Sequence, residues 1–265
     1  MSDSHVRFEI DGEVARITLN RPEKRNALTR EMVEQIRDAV GAIAVDKSVR
    51  LGILSAEGPV FCAGMDLGEM QQRAADANAE KEWQQDAQTY RDLLASLVTL
   101  PIPTMANVSG PALAGGLGLV LACDIVLAAE AAVFSLPEPK RGITAAVVAA
   151  LLVYRIAAGP AGYLLLSGES VDARRALAMG LCHEVVSPAQ IRQREGELVA
   201  SILSGAPEAL AATKRSLFDS ASPTLLDRLD AAVEVSASAR ASDEAREGLL
   251  AFLEKRRPNW WSAGD

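Results

Sequence analysis

The sequence predicts an α/β fold in which at least part of the sheet is parallel. Two observations carry this. Short apolar strings that read as strands alternate with stretches whose apolar residues keep helical spacing, and from Arg141 onward almost all of the signal is helical. A third observation concerns function: small residues follow directly on buried strands at FCAGMDL and again at PALAGGLGL, so backbone there has to face something.

Taken in order, VRFEI and EVARITL flank Asp11-Gly12 and form a hairpin, with the DG pair suited to a type I′ turn. NRPEKRNAL carries too many charges and turn formers to be a strand, and reads as a loop. Thr29 caps a helix whose Met32, Val33, Ile36, Val40 and Ile43 share one face. RLGILSAEG is a short strand. Residues 66–100 are polar and rich in Gln and Ala, with a firm helix only from about Lys81 to Leu100. PIPTMANVSG is a strand with prolines near its start, GGLGLVLACD a short helix, and DIVLAAE and AVFSL two further strands. Asp172 caps ARRALAM, which Gly180 ends; LCHEVV is a short strand. Helices then follow at about 188–204, 207–220, 223–240 and 242–254. The clearest boundary lies near residue 205, dividing a core at 1–204 from a helical region at 205–265 whose Ala-rich face suits docking to the core or to a second subunit.

Composition bounds the chemistry. At 265 residues, 49% hydrophobic and 23% charged, the chain is long enough for one large core with an appendage. A net charge of −8, with Lys and Arg interleaved among acids, argues against a nucleic-acid partner. MSDSHVRFEI lacks the pattern of a leader, and no window of about 18 apolar residues offers a membrane span, so a cytoplasmic protein with no membrane partner is the expectation. Cys62, Cys123 and Cys182 lie far apart in apolar strings and read as reduced core residues. Only His5 and His183 are present, which makes a histidine-rich metal site or a Ser-His-Asp triad hard to build.

FCAGMDL, GPALAGGLGLVLACDI and FSLPEPKRGI, following NRPEKRNAL at these separations and followed by SGESVDARRALAMGLCHEVV, resemble the crotonase family, also called the enoyl-CoA hydratase/isomerase family. The likeness runs from about Val6 into the helical tail. It implies a repeated ββα core, a bent CoA thioester and an oxyanion hole formed by the backbone N–H groups of Met65 and Gly115. Such donors suit the developing enolate oxygen and are worth about 3 kcal/mol each. It also implies CoA contacts along Lys24, Arg25, Ala27, Ala63, Asp66 and Leu67, with Phe252 and Lys255 of the tail closing the pocket, often from a neighbouring subunit. A homotrimer or a dimer of trimers is expected, with no cofactor beyond the CoA of the substrate.

The resemblance breaks at one catalytic position. The common hydratase of the family uses two glutamates; the first position is Gly118 here, leaving Glu138 as the catalytic residue. Flanked by Leu136, Pro137 and Pro139, its carboxyl is expected to be partly desolvated and its pKa raised. Dienoyl-CoA isomerases and chlorobenzoyl-CoA dehalogenases need an aspartate eight residues further on, where this chain has Ala146. ITAAVVAAL replaces the usual proline-glycine loop and is more similar to hydratases of methylglutaconyl-type and isoprenoid-derived enoyl-CoAs. Three functions stay open: a 2-enoyl-CoA hydratase, a Δ3,Δ2-enoyl-CoA isomerase using Glu138 alone, and a non-catalytic acyl-CoA-binding protein.

Overall fold

The computed structural model describes residues 4–74, 78–221 and 224–261. Its main sheet joins β1 (Val6–Asp11), β2 (Val14–Leu19), β3 (Leu51–Ala56), β4 (Thr104–Val108), β6 (Ile125–Ala129) and β9 (Glu184–Val186), in that order. Only β1 and β2 pair antiparallel; every later neighbour is parallel, as the intervening helices require. A second, smaller sheet holds β5 (Ala112–Leu113), β7 (Val133–Ser135) and β8 (Val171–Asp172).

The hairpin forms, but its turn is not the expected one. Asp11 already pairs with Val14, so Gly12 and Glu13 occupy the two central positions. Of these, only Gly12 has a positive φ, +58°. Glycine at the first centre is the pattern of a type II′ turn, and the ladder runs one residue further than the DG pair suggested.

Helix α1 (Arg30–Val45) starts where Thr29 Oγ1 accepts the N–H of Met32 at 3.1 Å. The apolar face named from its spacing is buried. Helices α2 (Leu67–Ala74) and α3 (Ala79–Thr99) divide the polar segment, and α3 buries Trp83, Ala87, Tyr90, Leu94 and Leu97 along one stripe. Helix α4 (Gly115–Leu121) is buried along its whole length. After it come α5 (Ala146–Ile156), α6 (Ala158–Ser167) and α7 (Ala173–Met179), the last capped by Asp172 and ended by Gly180 at φ +82°. ITAAVVAAL is thus mainly the first part of α5 rather than a loop.

The tail consists of α8 (Ile191–Leu203), α9 (Pro207–Ala221), α10 (Leu225–Ala241) and α11 (Asp243–Leu253). Leu198, Val199, Ile202 and Leu203 of α8 cover Leu51, Ile53 and Met105 on the sheet. Helix α10 lies against α3 and α5, and α11 against α2 and the 3-10 turn Glu138–Arg141. The three cysteines are free and buried. Among the described residues no helix is long and apolar enough to cross a membrane.

Candidate active site

Two loops with little side chain meet at the carboxyl end of the sheet, and the loop before α1 holds one of them. In that loop Arg25 and Asn26 take positive φ, and the buried Asn26 side chain accepts from the N–H of Arg21 at 2.7 Å while donating to the carbonyls of Glu57 and Val60. Such local amide bonding favours a left-handed residue. The strip 62–66 runs alongside: Ala63 N–H donates to Arg25, Leu28 N–H to Gly64 and Asp66 N–H to Leu28.

The other edge of that strip meets the glycine run. Cys62 N–H donates to the carbonyl of Pro111 at 3.1 Å, and Leu113 N–H to that of Cys62 at 2.9 Å. A Cβ on Gly64, whose φ is +92°, would stand 2.6 Å from the Ala114 Cβ, and one on Gly116 would stand 2.5 Å from the Cys62 Cβ. Backbone therefore touches backbone, and side chains are excluded on steric grounds. Ala114 itself holds φ 51°, ψ −129°, a strained conformation for a residue with a Cβ, while its N–H donates to Ser135 at 2.9 Å. Strain of this kind is maintained only by surroundings that over-determine it, and here it directs the peptide N–H of Gly115 at the start of α4.

Met65 and Gly115 line one cavity, together with Leu67, Tyr90, Glu138 and Arg240; its volume is about 60 Å³. Among the described residues, no backbone acceptor outside the helices and strands takes the N–H of Met65 or of Gly115. Glu138, in the wall of the same cavity, opens the 3-10 turn ended by Gly142 at φ +66°. That turn is pinned from behind, since a Cβ on Gly142 would overlap the Glu244 carbonyl and one on Gly248 the Arg141 carbonyl. Helix α11 is thus docked directly on the segment that carries the acid.

Glu138 is half-buried as a residue, yet its Oε2 is enclosed and has no hydrogen-bond partner. Burial pushes its pKa up to about 7, against the opposing pull of its own backbone N–H and of the Arg141 and Arg240 cations. A carboxyl with that affinity can both take and return a proton near neutral pH.

Tyr90 and Arg240 were assigned no role from the sequence. The Tyr90 hydroxyl donates to the carbonyl of Gly115, and it fills the space beside Gly118 so closely that a Cβ there would overlap it. Arg240 reaches the cavity from α10, is 9% exposed, and leaves its Nε without a partner. Burial lowers its pKa, opposed by the negative charges of Asp86 and Glu138 and by Tyr90. A signal for it did exist: Leu225, Leu229, Ala232, Val233, Ser236 and Ala237 form the buried stripe of α10, and Arg240 continues that stripe.

The expected CoA contacts are divided. Leu67 lines the cavity, and Lys24, Arg25, Ala27, Ala63 and Asp66 lie on the paired strips beside it. The Asp66 carboxylate is engaged within the chain, with Arg21 at 2.7 Å and with the N–H groups of Gly68 and Glu69 at the start of α2. Burial raises its pKa, but these partners outweigh burial and the net shift is downward. Phe252 and Lys255 do not line the cavity. Phe252 sits with its ring 4.3 Å from the guanidinium of Arg141, which does line it, and Lys255 lies just past α11.

The chain resembles known proteins over nearly its whole length. The sequence model of the enoyl-CoA hydratase/isomerase family matches residues 9–263. A putative enoyl-CoA hydratase of Thermus thermophilus is 36% identical over 249 residues, which is 94% of this chain and 98% of that protein. The 2,3-dehydroadipyl-CoA hydratase of Escherichia coli is 32% identical over 245 residues, covering 92% and 93%. Among solved structures, an enoyl-CoA hydratase from Mycobacterium avium superposes with a TM-score of 0.84 at 36% identity, covering 97% of this chain and 99% of that one.

Proposed function

The chain belongs to the enoyl-CoA hydratase/isomerase family, and from that premise we propose that it hydrates a 2-enoyl-CoA, a branched or methylglutaconyl-type acyl group included, with Glu138 as its acid and base. The observation that carries the proposal is the unpartnered, buried Oε2 of Glu138, its carboxyl raised to about 7, in one cavity with Met65 and Gly115. Water oxygen bonds to C3 of the enoyl group while the Glu138 carboxylate takes a proton from that water. The C2–C3 π pair moves toward the thioester, and the N–H groups of Met65 and Gly115 stabilise the enolate oxygen. Glu138 then gives the proton to C2, so that the 3-hydroxyacyl-CoA product contains every atom of the water. CoA arrives with the substrate, and no other cofactor enters this scheme.

Gly118 stands, in this reading, where the two-glutamate hydratases place their first carboxylate. Tyr90 fills the room that such a side chain needs. That observation favours a second reading, Δ3,Δ2-enoyl-CoA isomerisation, in which one carboxylate takes a proton from C2 of a 3-enoyl-CoA and returns it to C4. The exposed Phe252, Leu253, Trp260 and Trp261 support assembly as a trimer or a dimer of trimers.

The deciding experiment is a panel of 2-enoyl-, 3-enoyl- and methylglutaconyl-CoA followed by absorbance of the conjugated thioester. Loss of conjugation from a 2-enoyl substrate supports hydration. Gain from a 3-enoyl substrate supports isomerisation. No turnover on any of them returns the protein to the acyl-CoA-binding alternative.

A further inference from the structure

The proposed chemistry uses Met65, Gly115 and Glu138, and it leaves Arg240 without a task. An arginine is an expensive wall for an apolar acyl chain: a buried cation needs paired charge and filled hydrogen bonds, and removing it from water without them costs several kcal/mol. Among the described residues Arg240 is the one charged side chain in the buried set, at 9% exposure, and its Nε has no partner. The charges that face it do not complete the account. Asp86 already holds Arg30 at 2.6 Å. Glu138 is raised to about 7 and is only partly ionised near neutral pH. Tyr90 keeps its proton there, its pKa being pushed well up by burial, and donates it to Gly115. Ser236, one turn before Arg240 on α10, also lines the cavity and is 4% exposed.

Arg240 also stands in the wall shared with a second, smaller cavity, to which Met65 and Met70 contribute as well. An acyl group in this cavity therefore meets a wall that includes Arg240. Resting on the acyl-CoA reading above, we infer that Arg240 recognises a carboxylate carried by the acyl group, so that the preferred substrates are CoA monothioesters of short dicarboxylic acids. A guanidinium fork matches a carboxylate with two parallel hydrogen bonds and selects for it by charge and shape together. The cavity, of about 60 Å³, has room for several water molecules beside Arg240.

The test compares saturated ligands, which bind but cannot react. Glutaryl-CoA is paired with pentanoyl-CoA, and adipyl-CoA with hexanoyl-CoA, in calorimetric titrations of the full chain. The wild type is expected to bind the carboxylate member of at least one pair on the order of 100-fold more tightly. Arg240→Met should bring that pair within about threefold, and Arg240→Lys should keep part of the preference. A wild type that binds both members of both pairs within about threefold overturns the inference, as does a folded Arg240→Met variant that keeps the preference. Should Arg240→Met fail to fold, the wild-type comparison still decides. Because no turnover is read, a clear preference combined with inactivity on every enoyl-CoA would defeat the hydration proposal and leave this one standing.

Discussion

On the side of Met65 and Gly115 the cavity is made of backbone, and on the side of Glu138 and Arg240 it is made of side chains. The backbone side is rigid because its strips are hydrogen-bonded to each other and its glycines touch neighbours at contact distance. The side-chain side rests on a short 3-10 turn and on helices from the far end of the chain, and it contains both polar groups left unsatisfied in the cavity. Dipoles that must wait in place for developing charge belong on the first kind of surface. Groups that must change protonation or choose among substrates belong on the second.

If this division is right, the largest effect comes from removing the proton carrier. Glu138→Gln preserves shape and should lower turnover by about 100- to 10,000-fold, with acyl-CoA binding retained. Steady-state kinetics beside a binding titration checks it. A variant with full turnover would end the role given to Glu138.

The same substitution should act on stability in the opposite sense. The folded carboxyl has a pKa of about 7 against an ordinary 4.5, so between those values the native state holds more protons than the unfolded one. Stability contributed by the neutral acid is present below pH 4.5 and is lost as pH rises through 7. A shift of this size corresponds to up to about 3 kcal/mol. Melting curves should show Glu138→Gln gaining on the wild type as pH passes from 5 to 8, with no gain at pH 4. A pH-independent difference would mean that the carboxyl is not desolvated.

Adjacent glycines probe the backbone side. A Cβ on Gly115 would meet only ordinary contacts, 3.5 Å from the Tyr90 hydroxyl and 3.6 Å from Met65 Cε. On Gly116 it would stand 2.5 Å from the Cys62 Cβ and 2.7 Å from the Cys62 carbonyl oxygen. Gly116→Ala should therefore cost about 1–3 kcal/mol of stability, whereas Gly115→Ala, which keeps its N–H, should leave the fold and most activity intact. Equal denaturation midpoints for the two would show that the strips are not in close contact.

How much of this was legible in the sequence follows the same division. The cap at Thr29, the cap at Asp172 and the glycine strips were readable because each depends on residues a few positions apart. The two-residue strands β5 and β8 were not, since a period cannot be seen in two residues. ITAAVVAAL read as a loop only by contrast with a family pattern, while its own run of helix-compatible apolar residues makes α5. Gly118 was read as the place of an absent carboxylate, while nothing near it in sequence pointed to Tyr90, 28 residues earlier, whose hydroxyl fills the space. Arg240 was hidden because a cation near the end of an Ala- and Ser-rich helix reads as solvated. Only the positions of its stripe-mates point inward.

Tyr90 links the two sides, and a smaller change is expected there. Tyr90→Phe deletes the hydrogen bond to the Gly115 carbonyl, and with it the oxygen nearest Gly118, while keeping the ring carbon that would stand 3.3 Å from a Cβ there. A bond of this class is worth about 1 kcal/mol, so kcat should fall by up to about tenfold with KM little changed. A change confined to KM would assign Tyr90 to the acyl pocket rather than to the oxyanion loop.

The smallest effect separates the tail within one chain from the tail in an assembly. Phe252 is 41% exposed, and its ring lies 4.3 Å from the Arg141 guanidinium, which burial and the positive charge of Arg25 both disfavour. An exposed cation–π contact contributes about 0.5–1 kcal/mol, so Phe252→Ala acting only through its own Arg141 should weaken CoA binding by no more than about fivefold. The effect should then be the same at every protein concentration. If Phe252 instead closes the pocket of a neighbouring subunit, the loss is full where the wild type is assembled and shrinks on dilution, because the wild type then loses the same ring as its assembly dissociates. CoA titrations of the wild type and of Phe252→Ala at two protein concentrations, with sedimentation run on the same samples, distinguish the cases. A loss that is large, concentration-dependent and matched by dissociation would mean that the tail belongs functionally to the next subunit, although α11 is seated on the Glu138 turn of its own chain.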